Sequence, residues 1–228
     1  MNFDIARHNM VESQIRPNRV TDDRIIAAMD RLPREAFVPA KLQGVAYVDE
    51  AVPLGGERYL MEPMVLARLI QSASPGDSDL ALVIGCGSGY GAAVLSYTVS
   101  TVVAVESDPE LARNAVETLA GLGIDTVTVI EADLRKGCPD QGPYDVIFFD
   151  GSVAEIPDAV SRQLAEGGRM VSVVTGDGPG PGPGPGPGPG LGKAMLTTRH
   201  AGVLSSLESF DAGTPALPGF GRQKIFVF

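Results

Sequence analysis

The stretch VIGCGSGYG, residues 83–91, sets Gly85, Gly87 and Gly89 at alternate positions where the apolar run LALVI ends. Glycines spaced in this way let a backbone turn sharply and approach a ligand with no Cβ between them. Glu106 stands at the end of a second apolar run, in VVAVESD, where a carboxylate can accept hydrogen bonds from both hydroxyls of a ribose. Asp133, in VIEADL, closes a third run, where it could meet an adenine edge. The chemistry these types suggest is the grip of a nucleoside-like cofactor by sugar and base. The register is G-x-G-x-G, not the G-x-G-x-x-G of a dinucleotide fingerprint, and no Lys-Ser/Thr follows as in a phosphate loop. A cofactor without phosphates fits better.

For those residues to converge, the chain must alternate strand and helix, and it reads that way. Strands are expected at Leu80–Ile84, Thr101–Val105, Thr126–Ile130, Asp145–Phe149 and Arg169–Val174. Helices are expected at Gly89–Thr98, through DPELARNAVETLAGLG, and at Ala154–Leu164, the last closing at Gly167-Gly168. Such alternation calls for a doubly wound parallel sheet with its ligand crevice at the carboxyl ends of the strands. The N-terminal part has a helix at Thr21–Met29 opened by a hydroxyl and two carboxylates, and breaks at Pro33 and Pro39. Asp49–Leu60 reads as a Gly-rich loop. From Pro63 a helix carries Met64, Val65, Leu69 and Ile70 on one face. The expected fold class is α/β, a Rossmann-like sheet with an N-terminal helical extension and antiparallel C-terminal edge strands around Ala194–His200 and Lys224–Phe228. Residues 1–62 form the extension with a substrate-side loop, and 63–228 the cofactor domain. Within the latter, GPGPGPGPGPGPG at 178–190 can build neither helix nor central strand and is expected as an exposed, mobile loop.

Composition narrows the partners. A net charge of −10 over 228 residues repels phosphate backbones and anionic membrane, so no nucleic acid or lipid partner is expected. Cys86 and Cys138 have neither metal-type nor redox spacing, and the N-terminus lacks the apolar stretch of a signal peptide; a reduced, cytoplasmic setting is expected. His8 and His200 are the only histidines and are expected as surface or structural residues, so no histidine base is foreseen.

The segments MVESQI, AMDRLPREAFVP, AYVDEAVPLGG and EPMVLARLI, continued by GCGSGYGAAVLS, VES, PYDVIFFDG and EIPDAVSRQLAEGGRMV, resemble the protein-L-isoaspartate O-methyltransferase family over roughly residues 8–175. The resemblance implies S-adenosylmethionine as cofactor and, as acceptor, the carboxylate of an isoaspartyl residue in a damaged protein or peptide. That acid is already ionised at neutral pH, so catalysis is chiefly alignment in a dry cleft. It also implies a cofactor set of Gly85, Cys86, Gly87, Ser88, Gly89, Glu106, Ser107, Asp133, Leu134 and Asp150. On the acceptor side stand Tyr59, Met61 and Glu62, aligned with a family segment of Thr-Ile-Ser-x-Pro type.

Two positions depart from the family pattern. Val83 stands where an acid normally holds the cofactor's amino group, and Met61 where a serine lies beside the reacting carboxylate. A hydroxyl is thereby replaced by a thioether that cannot donate, and Glu62 repels a carboxylate if it points inward. Two alternatives follow: a small-molecule acceptor, or a fold that binds a metabolite or partner without turnover. Asp150 also resembles the metal-binding aspartate of catechol-type O-methyltransferases. Its Asp-Asn companions are absent from the sequence, so no metal is expected and a helix-capping role is the plainer one.

Overall fold

The computed structural model describes residues 2–175 and 191–220; the Gly-Pro repeat at 178–190 and the strand expected at Lys224–Phe228 lie outside the described residues. The sheet has seven strands: β3 (Leu80–Ile84), β4 (Thr101–Glu106), β5 (Val127–Glu131), β6 (Tyr144–Val153), β7 (Leu164–Thr175), β8 (Leu191–His200) and β9 (Val203–Gly213). Their order is β5-β4-β3-β6-β7-β8-β9. The pairs β3–β4, β4–β5, β3–β6 and β6–β7 are parallel, whereas β8 runs antiparallel to β7 and β9. Because the chain starts at β3, runs out to β5 and returns to β6 on the other side, the order reverses beside β3, which is where open α/β sheets hold ligands.

Alternate residues of the central strands feed two cores. Ala81, Val83, Val102, Ala104, Val146 and Phe148 pack with the N-terminal helices α1 (Phe3–Met10) and α2 (Asp23–Arg31), with α3 (Pro63–Ser72) and with α4 (Tyr90–Leu95). Leu82, Ile84, Val103, Val105, Ile147 and Phe149 pack on the opposite face with Val160, Leu164, Leu217 and Phe220. The extension is therefore one cover of the sheet. Caps agree with the chemistry of the ends: Asp22 accepts from Arg24 N at the start of α2, and Asp108 from Glu110 N and Leu111 N at the start of α5 (Pro109–Gly121).

Four expectations are corrected. The supposed loop Asp49–Leu60 contains a hairpin of β1 (Val52–Gly55) and β2 (Arg58–Leu60), turned by Gly56 and Glu57 with φ of 55° and 61°. Positive φ at both central residues is what a two-residue hairpin turn of matching twist requires. The helix expected over Ala154–Leu164 shrinks to α6 (Asp158–Ser161), because β6 extends to Val153 and Pro157 stands just before the helix. β9 was not foreseen: its outward residues are polar or exposed, so it shows little strand patterning. It supplies an antiparallel partner of β8 among the described residues. Finally, Asp150 caps no helix, since it lies inside β6.

Gly89 caps α4 with φ of 95°, and a Cβ there would meet Ala115 Cβ at 3.3 Å. Gly89→Ala is expected to lower the unfolding free energy by about 1–2 kcal/mol, read from urea titration.

Candidate functional site

Glu106 ends β4 fully buried, and its carboxylate is ringed by donors. Oε2 accepts from Gly87 N at 2.7 Å, from Arg58 Nη2 at 3.0 Å and from Arg58 Nε at 3.3 Å. Oε1 accepts from Ser107 N at 2.8 Å, Asp108 N at 3.1 Å and Ser107 Oγ at 3.4 Å. Arg58, itself 3% exposed, also donates through Nη2 to the carbonyl of Gly85. The carboxylate thus ties the end of β4 to the turn after β3. At that turn Gly85, Gly87 and Gly89 all have positive φ, so only glycine takes this path without strain.

The space over the turn is taken by the chain's own side chains. A Cβ on Gly85 would meet Leu217 Cδ2 at 2.6 Å and Arg58 Nη2 at 2.9 Å, and one on Gly87 would meet Leu54 Cδ1 at 3.0 Å. Leu54 and Arg58 come from the β1–β2 hairpin. Leu217 comes from a strap of residues 214–220, pinned by Ser152 N to Pro215 O at 2.9 Å, Leu217 N to Ser152 O at 2.8 Å and Ala154 N to Phe220 O at 3.0 Å. In kind the donors suit a nucleoside: a side-chain-free turn, a strand-end carboxylate and, in Ser88, a buried hydroxyl without a protein partner. The seat has a floor for such a ligand and a roof made of Leu54, Arg58 and Leu217.

The remaining candidates fall into three groups. Asp133 is exposed two residues past the end of β5 and accepts from Arg135 N at 2.9 Å, while Leu134 is buried in the second core. Cys86 is buried, and burial pushes its thiol well above the usual range, so it is no nucleophile. On the acceptor side the structure separates what the sequence grouped. Tyr59 and Glu62 line a cleft of about 480 Å³ together with Asp49, Glu50 and Asp211. Met61 turns into the first core, and its carbonyl accepts from Arg34 Nη2 at 2.7 Å. Burial pushes the Glu62 carboxyl up. Val83 is a core residue.

Asp150 packs against α4, such that a Cβ on Gly91 would come 2.5 Å from its Oδ2. Burial pushes it up to about 7 against the opposing pull of Arg58 and Arg34. Arg34 is fully buried, donates through Nε to Ala46 O at 2.6 Å and lies 4.9 Å from the ring centre of Tyr90. His8 and His200 are surface residues near Asp30 and Glu166. Among the described residues no group of His, Cys, Asp and Glu could hold a metal ion, and no helix is long and apolar enough to cross a membrane.

Sequence reasoning missed Arg58, Leu54, Arg34 and Leu217. The hairpin was detectable from Gly55-Gly56 between VPL and RYL, and with it the inward face of Arg58; Leu217 carries no local signal.

The family model described as protein-L-isoaspartate(D-aspartate) O-methyltransferase matches residues 6–178 of this chain. The chain belongs to this family. A protein-L-isoaspartate O-methyltransferase of Methanoculleus marisnigri is 39% identical over 168 residues, 74% of this chain and 76% of the relative. A protein-L-isoaspartate O-methyltransferase 2 of Pelobacter propionicus is 39% identical over 170 residues, 75% of this chain and 76% of the relative. A solved protein-L-isoaspartate O-methyltransferase superposes with a TM-score of 0.75 at 26% identity, covering 93% of this chain and 66% of that one. A Plasmodium falciparum structure in complex with S-adenosyl-L-homocysteine shares the fold, with a TM-score of 0.72 at 18% identity over 95% of this chain and 98% of that one. The doubly wound sheet with antiparallel C-terminal strands is thus that of the protein-L-isoaspartate O-methyltransferase family.

Asp150 makes a pH prediction. Its folded value near 7 lies above the ordinary 3.8, so between about pH 4 and 7 the unfolded chain releases a proton that the folded chain keeps. Stability from this group is full below pH 4 and falls as pH rises toward 7. Arg34, Arg58, Glu62 and Glu106 are the charged groups that face it. Asp150→Asn is expected to gain stability over the parent progressively from pH 4 to 7, measured by denaturant midpoints at each pH.

Proposed function

We propose that this chain is an S-adenosylmethionine-dependent O-methyltransferase that acts on isoaspartyl carboxylates of damaged proteins. The observation that carries the reading is Glu106, presented at the end of β4 and bonded to Gly87 N over a side-chain-free turn, in a chain of this family. Gly85, Cys86, Gly87, Ser88 and Gly89 would form the floor, Glu106 with Ser107 the ribose grip, Asp133 and Leu134 the base side, and Asp150 the wall behind the turn. When bound, the cofactor supplies an electrophilic methyl on a sulfonium. The chain's own work is to fix orientation and exclude water: the turn and Glu106 are held by backbone bonds, and Leu54 and Leu217 keep the cleft apolar. Residues 1–62 carry Tyr59 and Glu62 on the acceptor side together with Leu54 and Arg58 over the turn, Met61 belongs to the core, and residues 63–228 carry the cofactor floor. Cys86 and Cys138 are both unpaired, which supports a reducing, cytoplasmic setting.

A second reading keeps the cofactor and exchanges the acceptor for a small molecule. It is favoured by the acceptor cleft itself, whose lining includes Asp49, Glu50, Glu62 and Asp211. Asp211 is paired with Lys193 at 2.6 Å, but Asp49, Glu50 and Glu62 form no salt bridge among the described residues, which disfavours a carboxylate acceptor and leaves room for one that is neutral or cationic.

Isothermal calorimetry with S-adenosylhomocysteine tests the cofactor seat, and Glu106→Gln is expected to weaken binding by about 10- to 100-fold, the worth of a lost charged hydrogen bond. Labelled methyl transfer to an isoaspartyl peptide tests the acceptor. Glu62→Gln, which removes the half-buried acid, is expected to raise that transfer about tenfold at pH 8. No transfer to the peptide, with transfer to a small amine or hydroxyl compound, would establish the second reading instead.

A further inference from the structure

Resting on the cofactor reading above, we propose that Arg58 is a built-in competitor for the ribose of the cofactor, and that it sets the affinity of the seat. Nε and Nη2 of Arg58 place two N–H donors side by side on one oxygen of Glu106, at 3.3 and 3.0 Å. A vicinal diol presents the same pattern of two adjacent donors to a carboxylate. The guanidinium therefore occupies the place and the bonding role of the sugar hydroxyls. Of the remaining donors to Glu106, the N–H groups of Gly87, Ser107 and Asp108 belong to the backbone that builds the seat, and the Ser107 hydroxyl stands beside its own N–H on Oε1. Arg58 is the donor that can leave without dismantling the seat.

The hairpin that carries it is suited to leaving. β1 and β2 form a separate two-stranded sheet of four and three residues, a unit of marginal stability on its own. Leu54 lines a cavity of about 730 Å³ shared with Phe37, Leu42, Ser88, Leu111 and Asn114, so its side chain has open space beside it. Leu217, by contrast, is fixed by the strap's backbone bonds to β6. Entry of a nucleoside requires Arg58 to exchange Glu106 for other partners, and Leu54 to lift from Gly87.

A residue that is only structural and one that competes with the ligand are told apart by the sign of their effects. Arg58→Gln in the full chain is expected to melt at a lower temperature than the parent without ligand, since Glu106 loses its ion pair, yet to bind S-adenosylhomocysteine about tenfold more tightly by calorimetry. Equal or weaker binding by the folded variant overturns the proposal. Should Arg58→Gln fail to fold, Leu54→Ala decides: it leaves the charged pair in place and unseals the turn over Gly87, and tighter binding supports the proposal while unchanged binding overturns it. If neither the folded parent nor any folded variant binds at millimolar S-adenosylhomocysteine, the cofactor seat itself is refuted and the competitor falls with it. Parent binding without gain in the variants refutes the competitor alone.

Discussion

A carboxylate with no access to water must find every donor inside the protein, because an ion transferred from water without compensation costs several kcal/mol. Glu106 finds three in the backbone after β3 and β4, and the others in Arg58 and the Ser107 hydroxyl. These bonds define the site. They hold the turn at Gly85–Gly89 against the end of β4, and they draw the hairpin down over the turn through a residue 48 positions earlier in the chain. The sheet supplies the positions, but the charge balance at one strand end decides what can approach them.

The same economy of charge extends outward from that pair. Asp150 and Glu62 are acids raised by burial, and Arg34 and Arg58 are bases placed among them. Within this mixture burial favours the protonated form of Asp150. On the acceptor side compensation is partial: in the cleft at Tyr59 Asp211 pairs with Lys193 at 2.6 Å, whereas Asp49, Glu50 and Glu62 form no salt bridge among the described residues. The cofactor side is internally paired, whereas the acceptor side presents net negative potential to whatever enters. Met61 takes no part in that potential, since its side chain has joined the core and its carbonyl serves Arg34.

Much of this was legible in the sequence. The apolar run at Leu80–Ile84 followed by glycines at alternate positions could only be a buried strand entering a tight turn, and the strand end at Glu106 followed from the same alternation, whereas the third strand stops at Glu131, two residues short of Asp133. What escaped were features defined by partners far along the chain. Arg58 looks like a solvated charge in a Gly-rich loop until Glu106 is placed beside it. Leu217 is one leucine in a Pro- and Gly-containing stretch, and nothing nearby says that it will lie over Gly85. β6 runs past Phe149 because Ser152 has the strap to pair with, a long-range bond that no local pattern encodes. Met61 was grouped with Tyr59 and Glu62 by position, yet its side chain is buried in the first core beside Leu60 while those two line the cleft.

The strap has a wider consequence. The family match ends at residue 178, while Leu217, which roofs the turn, lies well beyond it. The ceiling of one chamber is therefore written in two parts of the gene, Leu54 and Arg58 within the matched stretch and Leu217 beyond it. Two relatives with interchangeable floors can admit different molecules, and a search that scores only the shared region will rank them as equals.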